Sequence, residues 1–219
     1  MIFLQLLDFA GVAVFAATGA LAASRRQIDL IGFIFLAIVT GVGGGTLRDL
    51  MLGQTPVFWV SEPAFIIVCA ATAVIVYFTA HLVWSRYLWL LWLDAAGLSA
   101  YCVLGAAKGL ALGVPAPIAV VTGVMTATFG GILRDISTGE PSVLMRREIY
   151  LTAALIGASV YTVLHQFGIT ELWSTLAGAA CAFLLRGGAL HFGWTFPVFR
   201  AREGRSADEV EAQKRDRLR

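Results

Sequence analysis

The chain has 219 residues, 58% hydrophobic and only 14% charged, where a soluble domain carries about a quarter charged residues. Residues 200–219 hold seven of the sixteen Lys/Arg and five of the fourteen Asp/Glu, so residues 1–199 keep nine of each sign. Eighteen charges cannot coat a water-facing surface of that size, and a formal +2 lodged in the tail offers no basic patch for nucleic acid.

The chain therefore reads as an all-α integral membrane protein. A crossing helix needs about 20 predominantly apolar residues, and spans are predicted at 3–24, 28–47, 64–84, 88–107, 114–134, 149–168 and 171–190. The connections are too short for an independent domain. Residues 1–195 form a single membrane domain, and 196–219 a charged tail. In the first span Arg25 and Arg26 follow the apolar run, the reverse of a signal peptide, so it is kept as a true span. Connections after odd-numbered spans carry Arg25, Arg26, Arg86, Arg146 and Arg147, and the tail adds seven more. Those after even-numbered spans carry Arg48 and Lys108. This bias predicts a cytoplasmic C-terminus and, with seven spans, an external N-terminus. Trp59, Trp84, Trp89, Trp92, Trp173 and Trp194 fall near span ends, as an aromatic belt requires. The tail, with twelve charged residues in twenty, mixes its signs too evenly for a dedicated lipid site.

The most informative feature is internal. Shifting the chain by 86 residues aligns 7–62 with 93–148 without a gap, and fifteen of the 56 positions are identical. Among them are Asp8/Asp94, Gly11/Gly97, Gly19/Gly105, Thr40/Thr126, Gly44/Gly130, Gly45/Gly131, Arg48/Arg134, Asp49/Asp135, Gly53/Gly139 and Glu62/Glu148. Hydrophobic composition alone matches Leu, Val and Ala, not Arg-Asp after Gly-Gly. The chain is a duplication: repeat one covers about 1–86, repeat two about 87–170, and the seventh span lies outside. Three spans per copy is an odd number, so the second copy is inverted, an arrangement that puts a transport path near the midplane between copies.

Spans two and five carry the glycines Gly41, Gly43, Gly44 and Gly45, and Gly130 and Gly131, with Thr126 beside them. Consecutive glycines weaken a helix by about 1 kcal/mol each. Two readings are open: a kinked or unwound pore-lining turn with exposed carbonyls, or close helix packing through small residues. The first is favoured because the clusters recur symmetrically. Arg48-Asp49 and Arg134-Asp135 follow by about one turn. Adjacent helical residues do not face each other, so Asp8 and Asp94 are the expected partners of the arginines. These six form either charged vestibules or ion pairs bridging the repeats. Asp8, Gly11, Phe15 and Gly19 share a helix face, repeated by Asp94, Gly97, Tyr101 and Gly105, and are expected to pack on the broken helices. Thr18, Thr40, Thr46, Thr122, Thr126 and Thr128 offer hydroxyls, most of them expected to bond back to their own helix. Glu62 and Glu148 read as helix-start carboxylates. Cys69, Cys102 and Cys181 stand singly, His81, His165 and His191 are scattered, and no hydrolase, metal or nucleotide motif is present. Neither enzyme activity nor a cofactor or metal is expected.

The signatures GVGGGTLRDLMLGQTPVFW and TATFGGILRDISTGEPSVL, in an inverted three-plus-three arrangement, resemble the prokaryotic branch of the trimeric intracellular cation (TRIC) channels over residues 1–195. The resemblance implies a homotrimer in the cell's inner membrane. It also implies a potassium-conducting pore in each subunit, lined by kinked spans two and five, with potassium as the permeant ion. Phe129 stands where the family's triple glycine would continue, placed to narrow or gate the pore. The animal members' lysine signature for phosphoinositide is not visible. Bacterial relatives also bear a glycine-transporter label, so a carrier for glycine or another small zwitterion is the alternative.

Overall fold

The computed structural model describes residues 2–142, 149–195, 204 and 216, and they hold eight α-helices. These are α1 (Ile2–Arg26), α2 (Leu30–Met51), α3 (Phe58–Ser61), α4 (Ala64–Thr79), α5 (Arg86–Ala111), α6 (Ala116–Thr138), α7 (Leu151–Gln166) and α8 (Glu171–Phe192). Six of them, all but α3 and α7, are long and apolar enough to cross a membrane, α1 from Gln5 and α4 counted with the turn to Leu82. With 16 residues, α7 reaches about 24 Å against a hydrocarbon core of about 30 Å. Arg146, Arg147, Glu148 and nearly all of the 196–219 tail, on which part of the topology reading rests, lie outside the described residues.

Local signals set the helix boundaries. Asp29 is extended, and its carboxylate accepts the Gly32 N–H at 2.8 Å, which satisfies an orphan donor at the start of α2. Ser85 does the same for α5 through the Leu88 N–H at 3.3 Å. Gly139 and Gly193, at φ of 64° and 70°, end α6 and α8 in the left-handed region that glycine enters without strain.

The packing follows the duplication. In the first copy α1 packs on α2 and α4, in the second α5 packs on α6 and α7, and the copies join through α1–α5 and α2–α6 contacts. The α1–α5 contact is reciprocal: a methyl at Gly11 would strike the Tyr101 ring, and one at Gly97 the Phe15 ring. Those two rings sit 5.4 Å apart. Farther along, Gly19 fits against Leu36 and Thr40 of α2, and Gly105 against Gly123 and Thr126 of α6. The small-residue stripes thus seat each copy's first helix on its second and on the other copy. Large apolar side chains such as Ile31, Phe35, Ile67, Phe78 and Leu184 point outward, while Arg48, Arg134 and Arg186 are buried. That polarity suits a hydrocarbon surround.

Candidate functional site

The α2–α6 crossing joins the two glycine segments. An added methyl at Gly44 would fall on the carbonyl oxygen of Thr126, and one at Gly130 on that of Thr40. The contact is therefore backbone to backbone and reciprocal, which only glycine permits. Gly43 faces Leu133 and the Gly130 Cα. Gly41 is turned away, against Cys69, Val12 and Ala16, and Gly45 lies under the Phe58 ring. Gly131 is ringed by the Tyr150 hydroxyl, Asp94 and Arg134. Phe129 is half-buried.

Two corrections follow. Both helices are α-helical without a break through residues 41–45 and 130–131, so of the expected kinked or unwound turn the unwound form is absent. The helices gain more from close backbone contact than from freeing carbonyls, which would lack partners in an apolar surround. Nor does Gly41 line a path, because α1 and α4 fill its open side. Thr126 and its repeat equivalent Thr40 donate their hydroxyls to the carbonyls of Thr122 and Leu36, each at 2.6 Å. Thr18, Thr46, Thr122 and Thr128 also bond back to their own helices, which leaves none of these six hydroxyl protons turned toward a ligand.

On one side of the crossing lies a vestibule of about 820 Å3, whose lining includes Asp8, Arg48, Asp49, Phe58, Glu62 and Lys108. Asp49 is its hub: Oδ1 accepts from Arg48 Nε and Lys108 Nζ, each at 2.9 Å, and Oδ2 accepts the Phe58 N–H at 2.8 Å. The Phe58 ring caps the Arg48 guanidinium at 5.4 Å. The short α3 that carries Phe58 is further pinned by the Trp59 indole N–H, donated to Thr46 Oγ1 at 2.9 Å. Asp8 is not bonded to Arg48. Its Oδ1 accepts the Tyr101 hydroxyl at 2.9 Å, and it lies in the field of Arg48 and Lys108. Glu62, expected to start a helix, lines the vestibule.

On the other side the equivalent residues close on one another. Arg134 donates Nη1 to Asp94 Oδ1 at 2.7 Å and Nε to Asp135 Oδ1 at 3.0 Å. Nη1 also donates to Thr18 Oγ1 at 3.1 Å, which ties α6 to α5 and α1. Arg134 and Asp94 are each 1% exposed. Arg186 of α8 lies over the Tyr150 ring at 5.1 Å and donates Nη1 to the Ile149 carbonyl at 3.5 Å.

The structure thus brings Asp94 to Arg134 as expected, but it pairs each arginine with its adjacent aspartate as well, against the expectation. An arginine stem is long enough to fold its Nε back along the helix, so neighbours that do not face each other still meet. Lys108, Tyr101, Tyr150 and Arg186 were not anticipated as part of these clusters. A lone arginine inside the last apolar span was the available signal for Arg186.

Comparison with known proteins gives concordant results. The glycine transporter family model matches residues 5–81 and again 91–166, two matches whose starts are 86 residues apart. A UPF0126 membrane protein of Vibrio cholerae is 38% identical over 90% of this chain and 82% of its own length. The UPF0126 inner membrane protein YadS of Escherichia coli K12 is 35% identical over 88% and 94%. Among solved structures, the TRIC trimeric intracellular cation channel orthologue from Rhodobacter sphaeroides shares 52% identity with a TM-score of 0.87, over 89% of this chain and all of that one. A prokaryotic TRIC channel shares 25% with a TM-score of 0.82, over 89% and 99%.

Proposed function

The chain belongs to the prokaryotic TRIC channel family and matches the glycine transporter family model, and from that premise we propose that it is a potassium-conducting monovalent cation channel. The protomer assembles as a homotrimer in the inner membrane, each subunit with its own pore past the α2–α6 crossing. It crosses the bilayer seven times, α7 included, with the N-terminus outside and the C-terminus in the cytoplasm. The seventh span, α8, stands outside the inverted repeat.

The observation that supports this most directly is the vestibule. Its lining carries Asp8, Asp49, Glu62 and Glu171 against Arg48 and Lys108, a formal surplus of two negative charges in a cavity whose Arg48 and Asp49 lie about one helical turn past Gly44. Such a mouth concentrates cations before a constriction. The crossing is closed backbone to backbone, and conduction requires α2 and α6 to separate there.

One observation favours the second reading. Asp8 and Asp49 share a single cavity with Arg48 and Lys108, charges that suit both ends of a small zwitterion such as glycine. A planar-bilayer recording of the purified protein under a potassium chloride gradient, without and then with glycine, separates the two. The channel predicts unitary steps reversing near the potassium potential and indifferent to glycine. A silent bilayer, with labelled glycine accumulating in parallel liposomes, makes the vestibule a substrate site instead.

A further inference from the structure

The end of α7 and the start of α8 meet at the vestibule in a group of side chains that the crossing does not use. Tyr161 is buried and donates its hydroxyl to Glu171 Oε1 at 2.8 Å. The His165 ring lies nearly parallel to that of Tyr161, with centroids 5.7 Å apart. His165 Nδ1 stands 3.6 Å from Glu171 Oε2, just outside hydrogen-bond range. That nitrogen is shielded from solvent and has no hydrogen-bond partner. All three side chains line the vestibule.

Among the described residues, charged groups share this space from several neighbouring elements. They are Asp8 on α1, Arg48 and Asp49 on α2, Glu62 before α4, Lys108 on α5 and Glu171 on α8. The facing half of α6, residues 116–125, has no ionisable side chain. With a neutral imidazole the set carries two net negative charges, and with an imidazolium it carries one. Histidine is the side chain whose charge changes over the pH range that cells meet.

We propose that His165 is a proton-operated throttle on cation entry: protonated, it turns Nδ1–H onto Glu171, cancels that carboxylate and halves the negative charge of the mouth. The idea rests on the channel reading above. No covalent step is involved. Glu171 is the counter-charge, and Tyr161 holds its other oxygen in place.

The test is single-channel recording of the full-length protein in 20 mM KCl, where the Debye length is about 20 Å. Acidifying one chamber from pH 7.5 to 5.5 is expected to lower unitary potassium conductance about twofold, the effect of one unit charge about 10 Å away in water. Acidifying the opposite chamber leaves it unchanged. His165→Gln abolishes the response, Glu171→Gln lowers conductance already at pH 7.5, and His81→Gln, outside the vestibule, retains the wild-type response. In 1 M KCl, with a Debye length of about 3 Å, the response disappears. An acid response that survives in His165→Gln, or one that persists in 1 M KCl, overturns the proposal. Conductance indifferent to pH overturns the throttle while leaving the pore standing, whereas a silent bilayer removes both.

Discussion

Asp49 and Arg134 show how the same Arg-Asp pair serves two ends differently. Asp49 takes three donors, one of them from Lys108, whose side chain is 35% exposed. Arg134 is enclosed and holds two carboxylates at once. Removing one partner of a buried pair leaves an uncompensated charge and costs about 3–5 kcal/mol, whereas Asp49, though itself buried, keeps Arg48 and the Phe58 N–H when the partly exposed Lys108 is lost. Arg134→Met is therefore expected to destabilise the protein in detergent far more than Lys108→Met, by a margin of a few kcal/mol in denaturant unfolding. Equal losses would place the two arginine clusters in equivalent environments, against the geometry. The Asp94–Arg134 partnership was legible in the sequence because few charges exist in the membrane body to satisfy each other. Asp8 was not so simple, since the tyrosine that claims it, Tyr101, sits 93 residues away on a face that the pattern marked only as small and aromatic.

Among the elements, α2 and α6 carry the consequence of glycine. The sequence pattern marked both segments, and the symmetric recurrence of the glycines favoured a kink over a close crossing. Only the partner surface decides, and here the partner is backbone. The positions are unequal. A methyl at Gly44 meets the Thr126 carbonyl, whereas one at Gly43 meets the end of the Leu133 side chain at 2.8 Å, which can rotate away. Gly44→Ala is expected to lower thermal stability by about 1–3 kcal/mol, the usual range for overpacking, while Gly43→Ala leaves it within about 1 kcal/mol of wild type. The reverse order would show that the helices are not in contact at Gly44. The short α3 was missed because four residues between turns leave no periodicity to read, and Asp49 and Thr46 hold it through bonds that depend on the fold.

For the whole molecule, six of the predicted span positions follow from hydropathy and coincide with helices long enough to cross a membrane. The 86-residue offset in the chain reappears in the reciprocal contacts Gly11–Tyr101 with Gly97–Phe15 and Gly44–Thr126 with Gly130–Thr40. The difference between the two ends was not legible. Among the described residues, one end opens as a vestibule while Arg134 at the other is enclosed, with Arg186 contributed by α8 from outside the duplication.

The central claim is that ions pass the α2–α6 crossing, and Gly43→Cys tests it most directly because a side chain there meets first the movable end of Leu133. In a background with Cys69, Cys102 and Cys181 replaced by Ala, a charged thiol reagent is applied during potassium recording. The account predicts that modification of Gly43→Cys abolishes the current and leaves the cysteine-free background unaffected. Full modification, verified by mass, with undiminished current would place the path elsewhere and contradict it.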